Sequence, residues 1–172
     1  MKIQTPNLTL LPHGPKYLSS THKYATDTEN TRYMFHLPNA SLEETQAFLT
    51  NAEKEWQKAE PSFYEFAVLF NGRHIGAVCV YFDDEGSGEV GWIIDKDYWG
   101  RGFATEAAGG MIQYFRSELG VRRFIAHCDS ENIASQRVMT KLGFKLIDEY
   151  GGRKNRASDE ERMERMYALE LQ

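Results

Sequence analysis

Apolar positions repeat along the chain with two different periods, which predict a mixture of strands and helices. Runs rich in aromatic and β-branched residues predict seven strands, at residues 7–11, 63–70, 73–82, 89–94, 123–128, 145–150 and 166–171. Apolar residues spaced three and four positions apart predict helices over residues 16–26, 41–58, 104–119 and 132–142. The charged stretch 153–165 between the last two strands is expected to form a loop.

The connections between these elements indicate a mixed α/β fold. Asn71-Gly72 separates two strand patterns, and this dipeptide favours the tight turn of an antiparallel hairpin. The strand–helix–strand segment around Gly100 predicts a right-handed crossover between parallel strands. A mixed sheet with helices packed against it follows from this order of elements.

Length and composition limit the class of protein. The 172 residues are 41% hydrophobic, which is enough for one folded domain spanning residues 1–172. The formal net charge of -5 argues against nucleic acid as the main ligand. We expect a cytoplasmic protein, because no apolar run approaches the length of a membrane span and the first residues lack the core of a signal peptide.

Cysteine and histidine usage points away from disulfides and metals. Cys79 and Cys128 are the only cysteines, and both lie in apolar, strand-like runs typical of buried free thiols. The five histidines show no metal-ligand spacing. We therefore expect no metal site.

The most informative local motif is the segment 98–107, Tyr-Trp-Gly-Arg-Gly-Phe-Ala-Thr-Glu-Ala. Gly100 and Gly102 fall between a predicted strand and a predicted helix, where they leave backbone N–H groups uncovered. The helix N-terminus adds about half a positive charge, so the pair of features suits a phosphate or pyrophosphate. The motif lacks the Gly-Lys-Ser/Thr of a nucleotide-hydrolysing loop and the third glycine of a dinucleotide fingerprint. A tight turn without a ligand is the alternative interpretation.

A second constellation begins the next predicted helix. Asn132 and Ser135 are three positions apart, so their side chains share one face of its first turn. The alternative is that Asn132 merely caps the helix and Ser135 satisfies a free N–H group.

Taken together, these segments resemble the GNAT superfamily of N-acetyltransferases. The resemblance covers residues 87–144. The amino-acid sequence of the glycine motif is similar to that of the branch that includes ribosomal-protein-alanine N-acetyltransferases. Trp99 stands where that family's acetyl-CoA loop usually has Gln or Arg. The resemblance implies an acyl-CoA N-acyltransferase fold, in which a mostly antiparallel sheet of about seven strands splays open and is flanked by helices.

The resemblance also implies where acetyl-CoA would bind as co-substrate. The pantetheine arm would lie against the backbone of Trp92, Ile93 and Ile94, and Asn132 and Ser135 would complete the site. The pyrophosphate would be bound by the loop and the first helical turn, that is by Trp99, Gly100, Arg101, Gly102, Phe103, Ala104 and Thr105.

Acetyl transfer to an amine needs a base, a donor to the acyl oxygen and a proton for the leaving thiolate. Glu89 is the candidate base, because it shares a strand face with Gly91 beside the cofactor loop. A strand bulge at residues 91–93 would supply the N–H donor. The family's usual proton donor is a tyrosine, but that position is Met139, so Ser135 is the candidate catalytic donor. His127 and Tyr150 are secondary candidates, more typical of structural roles.

We therefore expect an acetyl-CoA-dependent N-acetyltransferase that acts by direct transfer to a primary amine, either a protein N-terminus or a small amine. The alternative is a non-catalytic acyl-CoA-binding or sensor module, since a fold does not guarantee chemistry. The sequence does not identify the acceptor, and it leaves a homodimer open.

Overall fold

The computed structural model describes all residues, 1–172, as an eight-stranded sheet with four α-helices. The strands are β1 (Ile3–Gln4), β2 (Leu8–Pro12), β3 (Phe63–Phe70), β4 (Arg73–Phe82), β5 (Gly88–Ile94), β6 (Arg123–Asp129), β7 (Lys145–Lys154) and β8 (Glu161–Glu170). The helices are α1 (Leu18–Thr26), α2 (Leu42–Trp56), α3 (Phe103–Leu119) and α4 (Ile133–Lys141). No helix combines the length and the apolar character that crossing a membrane requires.

The strand order across the sheet is β1-β2-β3-β4-β5-β6-β8-β7, and every neighbouring pair is antiparallel except β5 and β6. The predicted mixed, mostly antiparallel sheet and the parallel crossover through α3 are therefore confirmed. The one strand that was not predicted, β1, has only two residues, which is too short to show a period-2 pattern.

The prediction of a loop at residues 153–165 is wrong for most of that range. β7 continues to Lys154 and β8 starts at Glu161, so only six residues connect them. The hairpin is held by side-chain ion pairs between its strands, Arg153 with Glu164 and Arg165 with Glu149. Because almost every residue of β7 is exposed, charged side chains replace the apolar alternation by which a strand is recognised.

The two faces of the sheet have different surroundings. Alternate residues of a strand point to opposite faces, so the paired residues Phe66, Val78 and Trp92 share one face. The hydrophobic core lies on that face, where Phe66, Phe115 of α3 and Phe124 of β6 are fully buried in one cluster. The other face, which α1 and α2 cover, carries the row Glu65, Cys79 and Gly91.

Capping residues lie at the observed start of α2 and at the observed end of α3. The side chain of Ser41 accepts a hydrogen bond from the backbone N–H of Glu44, which caps α2 at the predicted start. Gly120 ends α3 with φ of 68°, in the left-handed conformation that glycine adopts readily.

Candidate active site

A gap opens between the two parallel strands at the centre of the sheet. β5 and β6 pair only at Gly88 with Phe124 and at Glu89 with Ile125. Beyond Glu89 both strands continue without pairing to each other. The predicted splay of the sheet is therefore confirmed, and it exposes one backbone edge of β5.

The residue pairing decides which backbone groups of β5 face the gap. The N–H of Asp95 donates to the carbonyl of Ile75 on the β4 side at 2.8 Å. Because antiparallel strands bond through alternate residues, Ile93 also turns its backbone toward β4, whereas Trp92 and Ile94 turn toward the gap. The Ile94 carbonyl already accepts from the Trp99 indole N–H at 2.7 Å. Trp92 thus directs both its N–H and its carbonyl toward the gap, whereas the Ile94 carbonyl is already bonded.

The prediction of a strand bulge at residues 91–93 is wrong. The pairing of β4 with β5 runs without a register shift from Gly88 to Ile94. An N–H donor for the acyl oxygen can still come from Trp92, because regular alternation already directs its N–H away from β4.

The glycine loop has an open backbone, as its motif indicates. Gly100 and Gly102 have φ of 74° and 78°, a region that other L-residues rarely adopt. A side chain at either position would meet no heavy atom within 4 Å of its Cβ. Bare backbone beside open space suits a ligand that approaches the main chain closely.

The first turn of α3 presents three unpaired amides at the same place. The N–H groups of Phe103, Ala104 and Thr105 have no acceptor in the protein, and the first helical bond runs from Glu106 N to Gly102 O at 3.0 Å. The Glu106 carboxylate does not fold back to cap them, because it accepts from Thr5 Oγ1 at 2.6 Å and from the backbone of Asn7 at 2.7 Å. These amides and the helix dipole fit a diphosphate group.

Two side chains of this segment have partners of their own. The Phe103 ring is buried and packs against Phe70 with ring centroids 4.7 Å apart. The exposed Arg101 guanidinium lies 5.5 Å from the centroid of the Tyr98 ring. Phe103 therefore anchors the helix while its N–H remains free, and Arg101 stays near the loop.

The Asn132 side chain caps α4, as the alternative interpretation held: its Oδ1 accepts from Ser135 N at 3.1 Å. The Ser135 hydroxyl makes no hydrogen bond within the protein. α4 lies beside α3 and β6, and its Met139 is fully buried in the core on that face. Ser135 and Glu89 thus belong to opposite sides of the sheet and do not contact each other.

Glu89 is paired with His127 of β6 across the start of the gap. Glu89 Oε1 lies 2.9 Å from His127 Nδ1. The hydrogen bond from His127 lowers the pKa of Glu89, although partial burial opposes the shift. The same bond raises the pKa of His127. The pairing therefore favours the charged form of each group over that of the isolated side chain.

A cavity of about 760 Å³ lies on the face that α1 and α2 cover. Twelve of its nineteen lining residues are hydrophobic, and one wall is the β5 segment from Glu89 to Ile93. Met34, His36 and Leu37, from the connection between α1 and α2, form another wall. The cavity is thus lined by the stretch of β5 that borders the gap.

The tip of the β7–β8 hairpin is tied to the same connection. The backbone N–H of Arg156 donates to the Met34 carbonyl at 3.2 Å, and its guanidinium pairs with Glu44 at the cavity. Arg153 donates to the Tyr33 carbonyl at 2.8 Å. The basic segment at residues 153–156 therefore helps to shape the cavity instead of lying free in solvent.

Sequence reasoning missed two polar residues of this cavity, Glu65 of β3 and Tyr24 of α1. Both are buried, with 6% and 3% of their surfaces exposed. Burial raises the pKa of Glu65 to about 8. The signal for Glu65 was present in the sequence, since it is the one charged residue of the apolar strand Phe63–Phe70.

Neither cysteine is an activated thiol. Burial raises the pKa of Cys128 to about 11 and that of Cys79 well above its ordinary value. Both are free cysteines, as expected. Because the thiolate is the nucleophile, neither is prepared to form a covalent intermediate.

Comparison with known proteins identifies similar chains. A family model described as an acetyltransferase (GNAT) domain matches residues 7–145. The uncharacterized N-acetyltransferase YnaD of Bacillus subtilis (strain 168) is 29% identical over 148 residues, which cover 84% of this chain and 83% of YnaD. A GNAT-family acetyltransferase from Bacillus anthracis has a TM-score of 0.83 and 25% identity, covering 99% of this chain and 98% of that one.

A further solved structure is similar in fold at lower identity. It is the Salmonella typhimurium acetyltransferase that modifies the N-terminal serine of ribosomal protein L7/L12, with a TM-score of 0.87, 15% identity and full coverage of both chains. Other similar structures contain coenzyme A or acetyl-CoA.

Proposed function

Because the chain belongs to the GNAT family of acetyltransferases, which use acetyl-CoA as co-substrate, we propose that it transfers the acetyl group directly to a primary amine bound in the cavity beside β5. One observation carries this proposal. The segment Glu89–Ile93 borders the gap on one side and lines the cavity on the other. A donor in the gap and an acceptor in the cavity would meet at this strand.

The residues that would hold acetyl-CoA are those with unused backbone groups. The amides of Phe103, Ala104 and Thr105 would take the diphosphate, beside the open glycines. The gap-facing backbone of Trp92 would pair with the pantetheine arm and direct an N–H toward the acyl oxygen. The thioester itself supplies an activated acetyl group.

The acceptor must lose a proton before it can attack. An alkylamine has a pKa near 10.4, so deprotonation at pH 7 costs about 4.6 kcal/mol, whereas an α-amine near 8 costs about 1.4 kcal/mol. Glu89 lines the cavity and is bonded to His127. In this proposal the pair accepts the proton of the ammonium group, directly or through water.

The leaving thiolate needs a proton from the other side of the gap. Met139 cannot donate one, and it is fully buried. The Ser135 hydroxyl is half-buried and has no partner in the protein, so it is free to donate to the sulfur. The raised pKa values of both cysteine thiols favour direct transfer over an acetyl-cysteine intermediate.

The test is release of free coenzyme A thiol from acetyl-CoA in the presence of small primary amines and peptides with free N-termini. We expect turnover with at least one class, and we expect Glu89→Gln to lower kcat/KM by about 100-fold or more, the contribution of a general base. Glu118→Gln, an exposed carboxylate of α3, is the matched control and should keep its activity.

Two results would contradict the proposal. Binding of coenzyme A without thiol release on any amine would leave only a binding module. Full activity of Glu89→Gln would show that the base lies elsewhere.

A further inference from the structure

The cavity contains three carboxylates, and two of them already have cationic partners. Glu44 pairs with Arg156, and Glu89 with His127. Glu65 has no cation near it, and its polar neighbour is the Cys79 thiol, a weak donor. A carboxyl that is 6% exposed and faces a cavity without a strong donor is a group that a ligand can satisfy.

Tyr24 supplies a second unsatisfied group in the cavity. Its hydroxyl is buried and meets no partner at hydrogen-bonding distance and angle, although the Thr21 side chain lies near it. Tyr24 lines the cavity, and the charge of Glu65 contributes to raising its pKa, after burial. Buried polar groups are normally paired, so an unsatisfied hydroxyl and a carboxyl whose polar neighbour is a thiol, both lining one cavity, indicate a polar ligand group.

Glu65 lies at a defined distance from the strand where transfer would occur. It pairs with Cys79 on β4, which pairs with Gly91 on β5. Two strand spacings separate the backbones of Glu65 and Gly91, about 10 Å. Between them the cavity is lined by apolar and weakly polar side chains, among them Ala77, Cys79 and Phe48.

We propose that Glu65 and Tyr24 form the recognition site for a second polar group of the acceptor, an ammonium or other hydrogen-bond donor joined to the reacting amine by an apolar segment. This inference rests on the proposed function, because it assumes that the reacting amine lies beside β5. It assigns the acceptor to small amines with two polar ends. Glu65 and Tyr24 act in selecting the substrate, and Glu89 with His127 in the reaction.

The test compares straight-chain diamines, from diaminopropane to diaminooctane, with alkylamines of the same length. We expect kcat/KM to favour the diamine by about 10- to 100-fold, as for a charge-assisted hydrogen bond in a buried site. The optimum should lie at pentane- to heptane-diamine, whose amines span about two strand spacings. A peptide with a free N-terminus is included as the competing acceptor class.

The variants separate recognition from chemistry. Glu65→Leu should remove the preference for diamines over alkylamines, mainly by raising KM for the diamine. The isosteric Glu65→Gln should also lose this preference, but it should still favour amino alcohols over alkylamines in part, because its amide can hydrogen-bond to a hydroxyl. Tyr24→Phe should lower the preference, and Glu118→Gln should leave it intact. Thermal unfolding of each variant establishes that it is folded.

A binding measurement gives a readout that does not depend on turnover. Glu65 carries a proton in the empty cavity at pH 7, because burial raises its pKa to about 8. Binding of an ammonium ionises Glu65, and its proton passes to the buffer, so the calorimetric enthalpy should vary with the ionisation heat of the buffer. The other groups facing it, Tyr24, Cys79 and Tyr81, keep their protons, because burial raises their pKa values too.

Equal kcat/KM for diamines and alkylamines, or a preference that survives in Glu65→Leu, would overturn the recognition site. So would a clear preference for the peptide. Coenzyme A binding without thiol release on any acceptor would instead overturn the proposed function, and the two failures are therefore distinguishable.

Discussion

At the scale of single residues, Glu89 and His127 shift each other's pKa values. The hydrogen bond lowers the pKa of Glu89 and raises that of His127. His127 therefore keeps its proton to a higher pH than a free imidazole, and the pair becomes a proton acceptor once that proton is lost. Its stabilising contribution is present between the two pKa values: it is lost as pH falls through the lowered pKa of Glu89 and as pH rises through the raised pKa of His127.

This pair can be tested by following the His127 ring protons by NMR as a function of pH. The wild-type pKa should lie above the ordinary 6.5. In Glu89→Gln it should fall to 6.5 or lower, because burial then acts on the imidazole without the carboxylate. Glu118→Gln is again the control, and an equal His127 pKa in wild type and Glu89→Gln would show that the ion pair does not form in solution.

At the scale of elements, the two ends of α3 are closed in different ways. Gly102 and Gly120 are both left-handed, with φ of 78° and 68°. Neither has a heavy atom within 4 Å of the Cβ that another residue would carry. Only the N-terminal end presents unpaired amides, since the Gly120 N–H bonds back to the Arg116 carbonyl.

Because Gly102 and Gly120 share a left-handed backbone and open surroundings, Gly102→Ala and Gly120→Ala form a matched pair of variants. Each should lower the free energy of unfolding by about 1–2 kcal/mol, the cost of a left-handed alanine. Only Gly102→Ala should weaken binding of coenzyme A, by about 10-fold or more, because its methyl group occupies space beside the bare amides. Calorimetry and chemical denaturation check the two effects, and equal coenzyme A affinities in the two variants would refute the assignment of this loop.

The elements that could be predicted from sequence are those with a continuous apolar period. α2 is an example, because Leu49 and Ala52 repeat at helical spacing and are buried. The strands of the β7–β8 hairpin were predicted only at residues 145–150 and 166–171, because ion pairs such as Arg153 with Glu164 replace the apolar pattern in the rest of the hairpin. Glu65 and Tyr24 come to line one cavity only when α1 packs over the sheet, and a single sequence does not record that packing.

The candidate site divides in the same way. The glycine loop was recognisable because its chemistry is local: two glycines directly precede a helix. The backbone direction of Trp92 depends on the register with β4, which is a long-range property. The cap formed by Asn132 is a local interaction. A contact between Asn132 and a cofactor would depend on how β5, β6 and α4 are placed around the gap, which is again a long-range property.

At the scale of the whole molecule, the sheet separates two compartments. The hydrophobic core and the α3–α4 pair lie on one side, and the cavity lies on the other under α1 and α2. The gap after Glu89, where β5 and β6 no longer pair, lies at the boundary between them. The β7–β8 hairpin holds the cavity wall through Arg153 and Arg156, so strands at the far end of the sheet support the cavity.

The central claim, that the gap and the first turn of α3 hold the acetyl donor, is tested most directly by titrating coenzyme A into the ¹⁵N-labelled protein. We predict saturable shifts of the backbone amides of Phe103, Ala104, Thr105 and Trp92. The amide of Ile93, which the register directs toward β4, should move much less. Saturation without shifts in the first turn of α3, or no saturable change at all, would contradict the account.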